Sequence, residues 1–64
     1  MTRTQKAALA SIKSTFGTSD FMFNFRNEYA HGAAGDVVVS KKVFGALVAS
    51  GAIVVRDLVI YSVA

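Results

Sequence analysis

Residues 39–63 read V-S-K-K-V-F-G-A-L-V-A-S-G-A-I-V-V-R-D-L-V-I-Y-S-V and carry the clearest pattern in the chain. Ser40 is a favourable N-cap, apolar residues recur behind it at a spacing of four, and Gly51 follows as a stop signal. Two apolar runs then flank the polar pair Arg56-Asp57. The stretch therefore predicts a helix followed directly by a tight β-hairpin that turns at Arg56 and Asp57.

A second helix is indicated near the start of the chain, from Thr4 to Phe16. Its apolar residues recur at spacings of three and four, as expected for one buried stripe: Ala8, Leu9, Ile12 and Phe16. Thr2 or Thr4 can cap the first turn, and Gly17 follows the last apolar position. The pattern predicts an amphipathic helix over these residues.

The segment from residue 18 to residue 31 fits two patterns. Its aromatic side chains alternate as in a strand and also repeat every four residues as in a helix: Phe21, Phe23, Phe25 and Tyr29. We favour a helix, because residues 18–20 offer N-cap side chains and Gly32 offers an end. Such a helix buries Phe21, Met22, Phe25 and Tyr29 on one face and leaves Phe23 on the other as a subunit contact.

Residues 32–36 are predicted to form a flexible loop, and Val37-Val38-Val39 a short strand that can pair with the later hairpin. The order of Val39-Ser40, a helix with apolar residues at a spacing of four, Gly51 and an apolar strand from Ile53 resembles the winged helix-turn-helix family. The resemblance implies one α+β domain over residues 1–64, with three helices, a C-terminal β-hairpin and a short extra strand. It also implies DNA binding. The loop before Val39 is longer than the turn usually found in that motif.

Composition limits the possible functions. A chain of 64 residues buries only about 60% of its unfolded surface, yet 53% of these residues are hydrophobic. With no cysteine and a single histidine, neither a disulfide nor a classical zinc site is expected, so we expect some apolar side chains to be covered in a homodimer or by a protein partner. No catalytic motif, carboxylate pair or cofactor-binding motif is present, and an enzyme is not expected.

The positive charges favour phosphate contacts. The net charge is +3, and all cations before Asp20 stand in a segment without acids. The residues expected to contact nucleic acid are Arg3, Lys6, Lys13, Ser40, Lys41, Lys42 and Arg56. Lys41 and Lys42 begin the third predicted helix, where backbone amides also attract anions, whereas the rest of its outer face has only small residues and cannot read bases. The first prediction is therefore a small DNA-binding regulator that contacts mainly the phosphate backbone; ordinary solvated cations are the alternative for each position.

A protein-binding module is the alternative function. Both sides of the predicted hairpin are apolar, and the side chains expected to meet a partner or a second subunit are Phe23, Val59, Tyr61 and Val63. The segments L-A-S-I-K-S and F-R-N resemble phage-encoded inhibitors of bacterial RNA polymerase, which implies a host transcription protein as the target. No signal peptide or membrane-spanning stretch is recognisable, so we expect the cytoplasm of a bacterium or of a phage-infected host.

Overall fold

The protein folds into two layers, a five-stranded antiparallel sheet and two helices that cover one face of it. The computed structural model describes residues 1–64. In chain order the elements are α1 (Arg3–Phe16), β1 (Phe21–Asn24), β2 (Tyr29–Gly32), β3 (Gly35–Val38), α2 (Lys41–Ala49), β4 (Ile53–Asp57) and β5 (Ile60–Val63). The strand order across the sheet is β3-β2-β1-β5-β4, so the pairing of β1 with β5 joins the first half of the chain to the second.

The first and last of the predicted helices are confirmed. The Thr2 side chain accepts a hydrogen bond from the Gln5 backbone N–H, and the Gln5 side chain accepts one from the Thr2 N–H, which forms a capping box at the start of α1. The Ser40 hydroxyl accepts a hydrogen bond from the Val43 N–H at 3.2 Å and so caps α2. Neither helix is both long and apolar enough to cross a membrane.

The helix predicted for residues 18–31 is wrong. The structure has β1, a turn and β2 there, and it therefore has two helices and five strands instead of the three helices of a winged-helix-like domain. Phe21 and Phe23 both point into the core, as the alternating pattern requires. The Asn24 side-chain oxygen accepts hydrogen bonds from the Arg26 and Asn27 N–H groups at 3.0 and 2.8 Å, which closes the turn after β1.

Stacked aromatic rings hold the helices to the sheet. The ring of Phe23 in β1 lies 3.9 Å from that of Phe44 in α2, with an interplanar angle of 5°. Phe21 stacks in the same way on Phe16 of α1 at 4.6 Å. Because Phe21 and Phe23 share one face of β1, both helices lie on that face. Gly32 allows the close approach of α1, since a Cβ atom there would lie 2.8 Å from the Phe16 ring.

The β2–β3 and β4–β5 hairpins differ from the prediction in where a strand begins, what it pairs with and where the chain turns. The short valine strand begins earlier, at Gly35, and it pairs with β2 instead of with the C-terminal hairpin. The C-terminal hairpin turns at Leu58 and Val59, because Asp57 pairs with Ile60, and a bulge interrupts the ladder before Asp57. Arg56 and Asp57 are therefore part of β4. The prediction relied on polarity alone and placed the turn two residues too early in the chain.

Candidate nucleic-acid interface

The cations of α1 form one exposed stripe. Arg3, Lys6 and Lys13 are all exposed, whereas Ile12 and Phe16 on the other side of the helix are buried. At 1.5 Å per residue, Arg3 and Lys13 are separated by about 15 Å along the helix axis. The stripe is thus long enough to contact several phosphates along one side of a nucleic-acid duplex.

The start of α2 adds two exposed lysines, Lys41 and Lys42. Its backbone amides are largely occupied, however, because the Lys41 N–H donates to Glu28 Oε1 at 3.0 Å and the Val43 N–H donates to the Ser40 hydroxyl. Glu28 reaches this position from the turn between β1 and β2, where its φ is +56°. The lysine side chains, more than the helix N-terminus itself, are therefore the groups that remain free to contact a phosphate, and Ser40 serves the helix as its cap.

The two helices also border a groove. Its walls come from the first half of α1 and from the segment that leads into α2, and it has a volume of about 370 Å³. The lining residues are small or hydroxyl-bearing on α1 and mainly valine elsewhere: Thr4, Ala7, Ala8, Ser11, Val38, Val39, Ser40 and Val43. The basic beginnings of both helices thus lie beside one concave surface with no acidic side chain in its lining.

Charge is divided between the two layers. The helices carry five of the seven cations and none of the four acids, so their formal charge is +5. The strands and connecting segments carry two cations and four acids, so their formal charge is −2 with a neutral histidine. The net charge of +3 therefore understates the positive potential of the helical layer, where Glu28 is the one carboxylate shown in contact with a helix start.

Arg56 does not belong to this basic surface. Its Nε donates a hydrogen bond to the Ser62 hydroxyl at 2.7 Å, across the β4–β5 pair. Ile53 points into the core, so its neighbour Val54 lies on the sheet face opposite the helices. Ser62 pairs with Val54 and therefore lies on that same face. The structure thus places Arg56 on the sheet and not at a hairpin tip, separate from the other predicted phosphate contacts.

Two of the side chains expected to meet a partner lie in the core. Phe23 and Tyr61 are only 8% and 9% exposed, and both pack against Phe44, so neither is accessible to another protein. The helical assignment of residues 18–31 caused the error for Phe23. Val63 is half-buried opposite Ile53, whereas Val59 is exposed at the hairpin turn.

His31 lies in the middle of β2. Its Nδ1 is 2.8 Å from Asp36 Oδ1 on β3, and both side chains are largely exposed. No group of three or more potential metal ligands forms around this pair. The pair is a polar contact between neighbouring strands.

Sequence reasoning missed Glu28 and Ser62. The Glu28 carboxylate accepts a hydrogen bond from the backbone of Lys41, which lies 13 residues further along the chain, and no local pattern indicates such a contact. For Ser62 a signal was present, because the serine interrupts an apolar strand and a buried hydroxyl needs a partner.

Comparison with known proteins gives no match: no protein-family model, no curated protein and no solved structure matches this chain.

Proposed function

We propose that the protein binds nucleic-acid duplexes through phosphate contacts made by its helical layer. The observation that carries this proposal is the division of charge, with +5 on the two helices and −2 on the rest of the chain. The cations stand on rigid helices, and their long side chains can each reach a phosphate while the helix stays packed on the sheet.

The binding proposed is independent of base sequence. Beyond Lys42 the exposed positions of α2 are Gly45 and Ala49, which have no groups that read base edges. Arg3, Lys6 and Lys13 on α1 suit phosphates equally well in any sequence. Such a protein would act as a small regulator or organiser of DNA in the cytoplasm of a bacterium or of a phage-infected host.

Titration of a labelled DNA duplex at several salt concentrations tests the proposal. Five phosphate contacts correspond to a slope of log K against log salt of about −4 to −5. Lys6→Gln and Lys13→Gln, each made singly, should lower the magnitude of this slope by about 1. Arg26→Gln is the matched control, because it removes a cation from the turn between β1 and β2, outside the helices. Equal losses from helix and control variants would contradict the proposed surface, and binding insensitive to salt would contradict phosphate contacts.

A second candidate function is supported by the hairpin turn. Leu58 is 89% exposed, Val59 and Val55 are more than half exposed, and Leu58 adopts a positive φ of 36°. An exposed apolar turn in a conformation that leucine rarely adopts is typical of a functional contact. We therefore propose, as the alternative, that the hairpin turn inserts into an apolar pocket of a protein.

Leu58→Asp should abolish such a complex and leave duplex affinity within about twofold of wild type. Loss of duplex affinity alone would contradict this alternative.

A further inference from the structure

The strand β3 has a free backbone edge. It is the last strand on one side of the sheet, so only β2 pairs with it. Along an antiparallel pair, residues alternate between those whose backbone bonds to the partner strand and those whose backbone does not. The Val39 N–H donates to the Glu28 carbonyl oxygen at 3.2 Å, which fixes this alternation. The backbone N–H and C=O groups of Asp36 and Val38 therefore point away from β2, where no strand of the chain pairs with them.

The opposite edge of the sheet is closed to such pairing. A bulge at Arg56 interrupts β4, and the Arg56 side chain is held across the strand pair by its hydrogen bond to Ser62. Bulges and charged side chains are common means of protecting an edge strand. The β2–β3 ladder has no such irregularity, and Val38 is 87% exposed. Of the two edges, β3 is thus the one that can accept another strand.

The free edge of β3 borders the groove between the two helices. The helix α1 runs antiparallel to β3, because a Cβ atom at Gly35 would lie 3.8 Å from Thr15 Cγ2 whereas Val38 lines the groove with the first half of α1. The α1 wall has only short side chains: Thr4, Ala7, Ala8 and Ser11. A strand added to β3 would turn alternate side chains toward this wall. The groove volume of about 370 Å³ lies within the range of about 300–1,000 Å³ usual for ligand sites.

Charge differs between the two ends of the free edge. Three exposed cations adjoin residues of the groove lining in sequence: Arg3, Lys41 and Lys42. No acid lines the groove, and the Glu28 carboxylate is already bonded to the start of α2. At the other end of β3, Asp36 is negative and pairs with His31 at 2.8 Å. An extended segment with acids at the α2 end and none beside Asp36 is therefore complementary to this edge.

We propose that β3 binds an extended acidic segment of a partner protein as a sixth strand of the sheet. The free backbone groups of Asp36 and Val38 supply main-chain hydrogen bonds, and the groove accepts the side chains that turn toward α1. The acidic end of the segment lies beside Lys41 and Lys42. Binding of this segment does not depend on the proposed function, but the segment would compete with a duplex for these lysines.

Hydrogen exchange measured by nuclear magnetic resonance on the full chain tests the added strand without nucleic acid. The probes are two short synthetic peptides of alternating valine and threonine, with aspartates at the amino end of one and at the carboxyl end of the other, so both strand directions are covered. One peptide should slow exchange of the Asp36 and Val38 amides by at least about tenfold. The Val37 amide, which already faces β2, should slow less. No slowing at millimolar peptide, or equal slowing of all three amides, would overturn the added strand.

N-methylation of the peptide separates strand pairing from charge attraction. Methyl groups on one alternate set of peptide amides should lower the affinity by at least about tenfold, because that set donates to β3. Methyl groups on the other set should lower it by less than about threefold. Equal effects of the two sets would contradict pairing with β3.

Proline at position 38 tests the same contact from the side of the protein. Val38→Pro removes the edge N–H and leaves the β2–β3 ladder intact, because this N–H points away from β2. It should lower the peptide affinity by at least about tenfold, whereas Val38→Ala keeps the N–H and should lower it by about threefold or less. Circular dichroism checks that both variants are folded, and an unfolded proline variant leaves the decision to the N-methylated peptides. Unchanged affinity in a folded Val38→Pro variant would overturn the pairing.

Charge reversal in the peptide tests the acidic character of the segment. Lysines in place of the aspartates should lower the affinity by about tenfold or more at low salt. Lys41→Gln and Lys42→Gln should each lower the affinity for the acidic peptide by several-fold. Arg56→Gln is the matched control, because β4 lies at the opposite edge of the sheet. Equal binding of the acidic and the lysine peptides would contradict an acidic partner.

Two other occupants of this edge would give different results. If a second copy of the chain pairs with β3, protection of the Val38 amide should rise with protein concentration before any peptide is added. If DNA fills the groove, a duplex and not the peptide should protect that amide. Either result would overturn the acidic segment, whereas a lack of salt-dependent duplex binding would contradict only the proposed function.

Discussion

Glu28 Oε1 accepts a hydrogen bond from the backbone N–H of Lys41 at 3.0 Å, so a carboxylate of the chain itself lies at the positive end of α2. The same residue accepts a hydrogen bond at its backbone oxygen from the Val39 N–H. Glu28 thereby fixes the turn between β1 and β2 against the start of the second helix. It also offsets the unfavourable position of Lys41 and Lys42 in the first helical turn.

We expect Glu28→Ala to lower the free energy of unfolding by about 1 kcal/mol, because a helix-capping acceptor is lost. Glu28→Gln retains an acceptor oxygen and should cost less than half as much. Urea denaturation of both variants measures the difference. Equal stability of the alanine variant and wild type would show that the contact contributes nothing.

Phe23 and Phe25 allow a direct test of the strand assignment. Phe23 is 8% exposed and stacked on Phe44, whereas Phe25 is 51% exposed. Phe23→Ala should therefore cost about 3 to 5 kcal/mol of unfolding free energy, and Phe25→Ala less than about half of that. A helix over residues 18–31 would reverse the order, so chemical denaturation of this pair of variants distinguishes the two structures.

Gly32 should not tolerate a side chain. Its Cβ would meet the Phe16 ring at 2.8 Å and the Phe21 Cβ at 3.2 Å, so Gly32→Ala is expected to destabilise the protein by about 1 to 3 kcal/mol. Gly45→Ala is the control, because nothing lies within 4 Å of that position on α2. It should stabilise the helix by up to about 1 kcal/mol. Thermal unfolding that moves both variants in the same direction would contradict this difference.

Leu58 stores conformational strain in the hairpin turn. Its φ of 36° favours glycine, and 89% exposure means that few contacts are lost on truncation. Leu58→Gly should therefore raise the free energy of unfolding by about 0.5 to 1 kcal/mol. Val59→Gly removes a residue of ordinary φ and should lower it. Denaturation curves for the two variants measure these opposite changes in unfolding free energy, and a fall for both would contradict strain at Leu58.

Both helices could be predicted because their signals are local. Thr2 and Ser40 cap the helices as expected, and the spacing of Ile12 and Phe16 identifies the buried side of α1. The exposure of Arg3, Lys6 and Lys13 followed from the same periodicity. Sequence patterns of this kind depend only on neighbours within one or two turns.

The sheet could not be predicted in the same way, because its decisive contacts are distant in sequence. Phe23 is buried by Phe44, a partner 21 residues further along, and this contact overrides the N-cap signal before Phe21. The hairpin turn was misplaced because Leu58 and Val59 are poor turn formers and because a bulge shifts the register after Val55. The position of Arg56 depends on that shift and was misplaced with it.

The pairing of β5 with both β1 and β4 has a consequence for synthesis of the protein. Residues 60–63 form an inner strand, so β4 cannot join the sheet of the first three strands until these residues have left the ribosome. A nascent chain that ends before residue 60 should therefore leave the backbone edge of β1 unpaired. The closing step brings together residues about 40 positions apart, and it should limit the rate of folding.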